Sequence, residues 1–376
     1  MAATRTEPLL STYLHTRGGR MGLPIGGTFE LTARCNFNCP MCYVHMNQND
    51  IAAGEELTAQ QWISIAREAR DAGLCFVLLT GGEPFIRKDF FEIYNAMKAM
   101  GLMISINTNG SMLDGEIRRQ LLENPPFRIN VSLYGGCNET YRNMCGQNAF
   151  ERVLENIRVL KEAGIDVRLS VSITQYNRQD LAKIHGIAKQ LGIPARATSY
   201  MFPPIRVNGA QYGNGDRLSA KEAAECAVEW DLLRFSSEEF AERAMSLTNF
   251  AAVEESECSV DPDEGVRCRA GYSSFWMTWN GSMLPCGMLP TPAVNPLEVG
   301  FRAAWGKIRQ ETRQIRIPKE CAACPKRPAC GVCAASCITE TGSFDRVPEY
   351  RCRMTDETID AAWRAYEERN GRTNGN

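Results

Sequence analysis

The stretch GTFELTARCNFNCPMC, residues 27–42, decides the fold, because it joins a strand-like run to three closely spaced cysteines. The run Thr28–Thr32 has the apolar and β-branched residues expected of a buried parallel strand. Cys35, Cys39 and Cys42 follow it with the spacing C-x3-C-x2-C. Three thiolates on one loop can hold three irons of a [4Fe–4S] cubane, which leaves the fourth iron open to another ligand.

Around this stretch the chain alternates strand-like and helix-like segments. The strand candidates are Thr28–Thr32, Phe76–Thr80, Met103–Thr108, Arg128–Leu133, Val167–Ile173 and Ala195–Tyr200. The helical patterns between them are Thr58–Ala72, Lys88–Met100, Gly115–Leu122, Phe150–Ala163 and Asp180–Leu191. Glycines that should end four of these helices are Gly73, Gly101, Gly164 and Gly192. This βα repeat predicts a parallel sheet, and six units suit either an open partial barrel or a doubly wound sheet.

Composition and charge narrow the class of protein. The chain has 376 residues, of which 44% are hydrophobic and 23% charged, as in ordinary folded proteins. The formal net charge is -2, so no basic excess indicates a nucleic-acid or membrane-surface partner. No apolar run approaches the roughly 20 residues that span a bilayer. Residues 1–20 lack the apolar core of a secretory signal, so we expect a cytoplasmic protein.

Cysteine is the unusual residue, with 16 copies against the three histidines His15, His45 and His185. A reducing compartment does not keep disulfides, so cysteines in short-spaced groups indicate metal ligands. A zinc site is the alternative for the first group, and it needs a fourth ligand. His45 is the only histidine near enough in sequence to supply it.

A second motif, Thr80–Pro84 with the sequence TGGEP, follows the second strand candidate. Together with the cysteine spacing it resembles the radical S-adenosylmethionine (SAM) enzymes. The resemblance implies that the three cysteines hold the SAM-binding cluster and that Gly81, Gly82 and Glu83 meet the amino group of SAM. Glycine lets the backbone approach an ammonium closely, and Glu83 adds a negative charge. Further SAM contacts implied by the resemblance are Met41, Asn109, Ser132 and Arg142. Relatives commonly carry aspartate where this chain has Tyr134.

The motifs all follow the carboxyl ends of successive strands, where the active sites of parallel barrels lie. The resemblance therefore favours an α/β fold with a partial (β/α)6 TIM-like barrel over a doubly wound sheet. It divides the chain into an N-terminal extension (1–26), a radical SAM barrel (27–202), a linker with bridging helices (203–257), a cysteine-rich iron–sulfur domain (258–356) and a C-terminal helix and tail (357–376).

The last third of the chain carries eight more grouped cysteines: Cys268, Cys286, Cys321, Cys324, Cys330, Cys333, Cys337 and Cys352. They resemble the SPASM extension of one radical SAM branch, which usually carries two auxiliary [4Fe–4S] clusters, and eight thiolates suffice for two cubanes. By analogy, cluster I would use Cys268, Cys286, Cys333 and Cys337, and cluster II would use Cys321, Cys324, Cys330 and Cys352. Cys258 could replace one ligand of cluster I, and a zinc ribbon is the alternative. Because residues 258–352 show little apolar periodicity, we expect their fold to depend on metal.

The resemblance implies an enzyme that reductively cleaves SAM to a 5′-deoxyadenosyl radical and abstracts hydrogen from a substrate. The SPASM branch often acts on peptides, so we expect a ribosomally made peptide that receives a crosslink or another oxidative modification. A flavodoxin- or ferredoxin-type protein is the expected electron donor. The alternative is a small-molecule enzyme of the same branch, acting on a tetrapyrrole or an amino sugar. A non-catalytic iron–sulfur electron carrier or binding protein is a third possibility.

Three details refine this expectation. Gly287 follows Cys286, where sulfatase-maturing relatives carry aspartate, and this disfavours that activity. Only 34 residues precede Cys35, fewer than the roughly 80 that a fused leader-binding domain needs. Cys137 and Cys145 flank the loop after the fourth strand, and a structural role is favoured over a functional thiol.

Overall fold

A single sheet organises the chain. The computed structural model describes residues 9–43, 55–204, 217–248 and 265–373, so His45 and Cys258 lie outside the described residues. The strands are β1 (Gly26–Glu30), β2 (Phe76–Thr80), β3 (Met103–Thr108), β4 (Arg128–Ser132), β5 (Val167–Ser172), β6 (Ala195–Thr198), β7 (Ser274–Met277) and β8 (Met283–Leu284). Their order across the sheet is β6-β5-β4-β3-β2-β1-β7-β8.

The strands β1 to β6 run parallel, each hydrogen-bonded to the next one along the chain. Helices connect them, so the predicted partial (β/α)6 barrel is confirmed. The strands β2 and β3 have the predicted bounds, whereas β1 begins at Gly26 instead of Thr28. All six carboxyl ends therefore lie at one edge of the sheet, as the barrel prediction requires.

The helices cover the sheet and the C-terminal region. In chain order they are α1 (Leu9–Met21), α2 (Ala59–Asp71), α3 (Phe90–Ala99), α4 (Gly115–Glu123), α5 (Asn138–Cys145), α6 (Phe150–Glu162), α7 (Leu181–Leu191), α8 (Ala220–Arg234), α9 (Ser237–Thr248), α10 (Pro296–Val299), α11 (Phe301–Thr312), α12 (Lys319–Ala322), α13 (Ala334–Thr341) and α14 (Glu349–Thr373). Single 3-10 turns are Pro84–Ile86 and Arg178–Asp180. In the described parts of the chain, no helix has the length and apolar character needed to cross a membrane.

Local sequence signals explain where the barrel helices begin and end. A capping box starts α2, in which the Gln61 amide donates to Thr58 Oγ1 at 3.3 Å and the Thr58 amide donates to Gln61 Oε1 at 2.8 Å. The four predicted stop glycines all have positive φ: Gly73 (118°), Gly101 (80°), Gly164 (82°) and Gly192 (61°). Because glycine alone adopts this conformation without strain, these helix ends are fixed by the sequence.

Two strands from the cysteine-rich region extend the sheet beyond β1. The strand β7 pairs in parallel with β1, with Ser274 opposite Gly26, and β8 pairs antiparallel with β7, with Leu284 opposite Trp276. These pairings join the region predicted as a separate domain directly to the barrel sheet. The domain boundaries given above stay predictions, and α14 runs across the one placed between residues 356 and 357.

The main hydrophobic core includes part of the region that was expected to lack apolar patterning. Phe301 and Trp305 of α11 pack against Phe275 of β7, with ring centroids 5.2 Å and 6.1 Å apart. Phe301 and Ile308 are fully buried. The expectation of little apolar periodicity was therefore wrong for α11, whose buried residues follow helical spacing. A smaller separate core lies among the grouped cysteines and includes Leu289.

Candidate active site

The loop that follows β1 brings the first three cysteines together, and we call residues Cys35–Cys42 the cluster loop. The Phe37 amide donates to Cys35 Sγ at 3.4 Å, and the Cys42 amide donates to the Cys39 carbonyl at 3.1 Å. Partial burial raises the pKa of the Cys35 thiol to about 12. Metal binding requires the thiolate form, so loading this loop would release protons.

A fourth thiol, that of Cys145, lies against the cluster loop. The Asn38 amide donates to the Cys145 carbonyl at 3.1 Å. A hydrogen bond with the Cys145 thiol, together with burial, raises the pKa of Cys39 well above its ordinary value. The neighbouring Cys42 and Cys35 raise it further, so the three cluster-loop thiols lie within electrostatic reach of one another. Sequence reasoning favoured a structural role for Cys145 and gave no signal for its contact with Cys39.

The two glycines of the TGGEP motif pack directly on the strand end that leads into the cluster loop. The Gly82 amide donates to the Thr32 carbonyl at 2.8 Å, and the Glu83 amide donates to the Arg34 carbonyl at 2.9 Å. A Cβ atom at Gly82 would lie 2.3 Å from the Arg34 carbonyl oxygen, and one at Gly81 would lie 2.5 Å from that of Thr32. Close backbone packing therefore requires glycine at both positions.

The Glu83 carboxylate ties the end of β2 to the end of β3. It is fully buried and accepts hydrogen bonds from Thr108 Oγ1 (2.9 and 3.0 Å), from the Asn109 amide (2.8 Å) and from the Phe85 amide (3.2 Å). Burial raises the pKa of Glu83 to about 7, and the hydrogen bonds partly oppose this shift. The hydrogen bonds that this carboxylate accepts therefore come from groups inside the protein.

Asn109 connects β3 to the cluster loop. Its Nδ2 donates to Asn36 Oδ1 at 2.8 Å and lies 3.8 Å from Cys35 Sγ. Its Oδ1 accepts from the Ser111 amide at 2.9 Å and from Ser111 Oγ at 2.6 Å. These contacts fix the orientation of the Asn109 side chain beside the cluster loop.

A cavity of about 470 Å³ lies at the carboxyl ends of the parallel strands, and we call it the active-site cavity. Polar residues from β2 to β6 and their following loops line it: Thr80, Asn107, Asn109, Ser132, Ser172 and Thr198. Cys39 and Cys42 of the cluster loop also line it. The topology therefore gathers the cluster loop and the strand-end motifs around one space, as expected for a parallel barrel.

The predicted SAM contacts divide into two groups. Those that line the active-site cavity are Met41, Gly81, Gly82, Asn109 and Ser132. Glu83 is buried behind the cavity lining, where its carboxylate accepts hydrogen bonds from Thr108, Asn109 and Phe85. Arg142 lies exposed on α5, where its Nε donates to Asn148 Oδ1 at 3.0 Å. Contacts of Glu83 and Arg142 with SAM stay predictions.

Comparison with known families agrees with this geometry. The family model described as Radical SAM superfamily matches residues 29–191, which run from β1 to the end of α7. These residues form a radical SAM domain. The protein is therefore a radical SAM enzyme, and its cluster loop and active-site cavity lie within or beside the matched residues.

The similar curated proteins include a synthase and a cyclase. An AdoMet-dependent heme synthase from Methanosarcina barkeri is 28% identical over 337 residues, covering 84% of this chain and 93% of that protein. A probable GTP 3',8-cyclase from Saccharolobus islandicus is 32% identical over 177 residues, covering 46% of this chain and 56% of that protein. Each is a protein to which this radical SAM enzyme is similar.

Solved structures share the fold over almost the whole chain. SuiB from Streptococcus suis bound to S-adenosylmethionine superposes with a TM-score of 0.64 at 17% identity, covering 94% of this chain and 83% of that one. The enzyme anSMEcpe with bound AdoMet gives a TM-score of 0.68 at 18% identity, covering 92% and 94%. This likeness extends past the barrel into the cysteine-rich region of the radical SAM enzyme.

The eight C-terminal cysteines form two electrostatic neighbourhoods. Burial, followed by the nearby Cys352, Cys330 and Cys324, raises the pKa of Cys321 to about 11. Burial chiefly raises the pKa of Cys268 as well, and Cys333 adds to that shift. Cys337 lies between the two, because burial, Cys321 and then Cys333 raise its pKa to about 12. Cys321, Cys324, Cys330 and Cys352 are therefore neighbours, and so are Cys268 and Cys333, whereas Cys337 is affected by cysteines of both predicted sets. The two ligand sets stay predictions.

The donor chemistry of both cysteine regions fits iron–sulfur ligation. In the cluster loop, the Phe37 amide donates to Cys35 Sγ at 3.4 Å. In the C-terminal region, the Met288 amide donates to Cys286 Sγ at 3.4 Å, and Thr355 Oγ1 donates to Cys330 Sγ at 3.3 Å. Hydrogen bonds to sulfur of this kind tune such clusters. Within the described residues, no three His, Cys, Asp or Glu side chains converge on one metal ion. The cysteines of a cubane each bind a different iron, so its ligands need not converge on a single ion.

Proposed function

We propose that this radical SAM enzyme modifies a peptide, installing a crosslink or another oxidative modification, with two auxiliary [4Fe–4S] clusters in addition to the SAM-binding cluster. The observation that carries the proposal is the character of the active-site cavity. Its lining, all within the described residues, contains no Asp, Glu, Lys, Arg or His side chain. An uncharged peptide segment suits such a site, because burying an unpaired charge is costly.

The apolar part of the lining supports the same conclusion. Aromatic and methionine side chains cover much of the cavity wall: Met41, Tyr43, Tyr134, Tyr200, Met201, Phe202, Trp276 and Met288. Tyr134 stands where relatives carry aspartate, and burial raises the pKa of its phenol well above the ordinary value. It therefore stays neutral and adds no charge to the site. Apolar walls bind side chains by burial and exclude water from a reactive intermediate.

Different groups of residues in the chain would bind the cluster, contact SAM and position the substrate. The three cluster-loop cysteines hold the SAM-binding cluster, and Met41, Gly81, Gly82, Asn109 and Ser132 face SAM. When bound, the cluster and SAM together would supply a 5′-deoxyadenosyl radical that abstracts hydrogen from the substrate. The neutral lining then positions the substrate carbon and shields it from solvent.

The C-terminal cysteines would hold the auxiliary clusters. Cluster I is assigned to Cys268, Cys286, Cys333 and Cys337, and cluster II to Cys321, Cys324, Cys330 and Cys352. The mutual pKa effects among Cys321, Cys324, Cys330 and Cys352 support cluster II. Those of Cys333 on Cys268 and on Cys337 support part of cluster I, although Cys321 affects Cys337 more strongly. Cys286 also lines the active-site cavity, so a group held there would lie next to the substrate. An oxidative modification must pass an electron to such an acceptor.

The comparisons support two substrate classes. SuiB has been solved with its precursor peptide SuiA, and anSMEcpe with a Cp18Cys peptide. The relative described as a heme synthase favours a small-molecule substrate such as a tetrapyrrole, and its alignment covers 93% of that protein. A tetrapyrrole with carboxylate groups requires cationic partners, and the described lining of the active-site cavity offers none.

Parallel anaerobic incubations test the proposal. The reconstituted enzyme receives SAM and dithionite with either candidate precursor peptides or carboxylated tetrapyrroles, and mass spectrometry follows both substrates. We expect a peptide to lose mass only when both the enzyme and SAM are present. The cluster-loop Cys→Ala triple variant should abolish it, whereas Cys75→Ala, at the amino end of β2, should retain it. Conversion of a tetrapyrrole and of no peptide would overturn the peptide assignment.

A further inference from the structure

Three carboxylates with largely buried side chains lie directly behind the wall of the active-site cavity, each one hydrogen bond from a lining residue. The three bonds, with the lining donor first, are Trp276 Nε1 to Glu30 (2.8 Å), Thr108 Oγ1 to Glu83 (2.9 Å) and the Tyr200 hydroxyl to Glu340 (2.8 Å). The lining itself, among the residues that the structure describes, has no charged side chain. These three bonds are therefore the candidate routes for a proton that leaves the cavity.

Of the three donors, Tyr200 is the one that can accept a proton and pass its own onward. The indole nitrogen of Trp276 has no lone pair that accepts a proton. Thr108 Oγ1 already accepts from the Gly110 amide at 3.0 Å, and its carboxylate partner has no solvent exposure through which a proton would leave. The Tyr200 hydroxyl donates to Glu340, and its oxygen accepts no hydrogen bond from the described part of the chain. That oxygen is therefore available to a proton from the cavity.

A buried arginine fixes the Glu340 carboxylate in front of Tyr200. Arg217 donates from Nη1 and Nη2 to the two carboxylate oxygens at 2.7 and 3.0 Å. Such a bidentate pair sets the orientation of the carboxylate as well as its position. The side chains of Glu340 and Arg217 are 8% and 14% exposed, so this end of the network reaches solvent.

A second guanidinium group lies over the tyrosine ring. The Arg351 guanidinium carbon is 4.1 Å from the centroid of the Tyr200 ring, and Arg351 Nη2 donates to the Gly331 carbonyl at 2.8 Å. One carboxylate and two cations therefore surround the phenol. A proton that arrives on Glu340 meets both cations, which favours its onward release to water over its retention. Burial, followed by the Glu340 charge, raises the pKa of Tyr200, so the phenol stays neutral.

We propose that Tyr200 and Glu340 form a proton path from the active-site cavity to solvent, in which Tyr200 is a catalytic residue and Arg217 is a positioning residue. The proton path rests on the proposed function, because an oxidative modification releases a proton together with its electron. A bond to hydrogen in the substrate radical breaks, and the proton bonds to the Tyr200 oxygen as the Tyr200 proton moves to Glu340 Oε1. The electron pair of the broken bond stays on the substrate, and the oxidised auxiliary [4Fe–4S] cluster accepts the unpaired electron. Glu340 then gives its proton to water.

The yield of modified peptide per 5′-deoxyadenosine tests the proton path in the full-length, anaerobically reconstituted enzyme. The assay contains SAM, dithionite and a precursor peptide that the wild type modifies. We expect Tyr200→Phe and Glu340→Gln each to lower this yield at least about tenfold, because the substrate radical forms but keeps its proton. The double variant should lose no more than the more affected single variant, since both residues lie on one path. In D2O, reductive quenching of the retained radical should place deuterium in the unmodified peptide.

The control Tyr350→Phe removes a hydroxyl from a neighbouring ring, 6.0 Å from that of Tyr200 between centroids. That hydroxyl donates to the Leu218 carbonyl at 2.8 Å and takes no part in the proton path. The control should keep the yield within twofold of the wild type. Iron content and melting temperature, measured on each variant, show that its fold and cluster loading are retained.

The outcomes separate the proton path from the proposed function. An unchanged yield in Tyr200→Phe would overturn the path, and so would losses that add in the double variant. A loss of yield in Tyr200→Phe that follows its loss of iron, with no deuterium in the unmodified peptide, would assign the residue a structural role and overturn the path as well. A wild type that modifies no peptide would overturn the proposed function and the path together, so the wild-type result distinguishes the two failures.

Discussion

Replacing Glu83 by Gln tests whether the buried carboxylate of the TGGEP motif is an internal brace. The pKa of Glu83 is raised from 4.5 to about 7 by burial. Between these values the folded chain binds a proton that the unfolded chain has released. The free energy of unfolding therefore falls as the pH rises through this window, and the loss is complete above pH 7. At about 1.4 kcal/mol per pKa unit, the total is about 3 kcal/mol.

Anaerobic thermal unfolding at pH 5 and at pH 8 measures this loss. The Gln side chain has nearly the same shape as glutamic acid but no titrating proton, so the variant should lack the contribution of Glu83. For a chain of 376 residues, an unfolding entropy of about 2.1 cal/mol/K per residue makes 3 kcal/mol equivalent to about 4 °C in melting temperature. Between pH 5 and pH 8, the melting temperature of the wild type should therefore fall about 4 °C further than that of Glu83→Gln. Glu162→Gln, at an exposed position of α6, is the control and should follow the wild type at both pH values.

Two results would refute this reasoning. One is a difference in melting temperature between wild type and Glu83→Gln that does not change with pH. The other is a large loss of SAM affinity in the same variant. A direct contact between Glu83 and the amino group of SAM would lose roughly 1.5–3 kcal/mol, or tenfold and more in affinity. The observed bonds to Thr108 and Asn109 instead predict a change well below tenfold.

Three further predictions follow from the site. Reconstitution should give about 12 irons per chain, and the cluster-loop Cys→Ala triple variant should lose about four of them, as iron and sulfide analysis will measure; stoichiometric zinc would contradict the assignment. Gly82→Ala should cost about 1–3 kcal/mol of stability and lower the iron content, because its Cβ would lie 2.3 Å from the Arg34 carbonyl oxygen. Gly306→Ala, in open space on α11, is its control and should melt no lower than the wild type. Cys268→Ala/Cys286→Ala should form 5′-deoxyadenosine with dithionite but no modified product, and normal product yield without auxiliary iron would disprove the role of these cysteines.

The barrel could be predicted from the sequence because its signals are local. Buried parallel strands are short apolar runs, and positive-φ glycines end the helices between them. The same reasoning missed β7 and β8, which are too short to show periodicity and depend on pairing with β1. It also missed α11, although Phe301, Trp305 and Ile308 carry helical spacing, because the surrounding Cys, Pro and Gly residues obscured the pattern.

The position of the site could be predicted from the sequence, whereas the orientations of its side chains could be predicted less well. Motif spacing identified the cluster loop and the strand-end residues, since the carboxyl ends of parallel strands meet at one edge. It could not show that the Glu83 side chain turns inward to Thr108, or that the Cys145 thiol meets Cys39. Those orientations depend on which donors tertiary packing places nearby, and single-sequence patterns do not encode that information.

The pairing of β7 with β1 gives the C-terminal region a direct part in the site. The cluster loop follows β1, and Cys286 follows β8, so one hydrogen-bonded sheet fixes the cluster loop relative to Cys286. A flexible tether between two domains would leave that separation variable. Because of the same pairing, Trp276 of β7 and Cys286 both line the active-site cavity. The sheet therefore holds a C-terminal cysteine beside the space that the strand-end motifs surround.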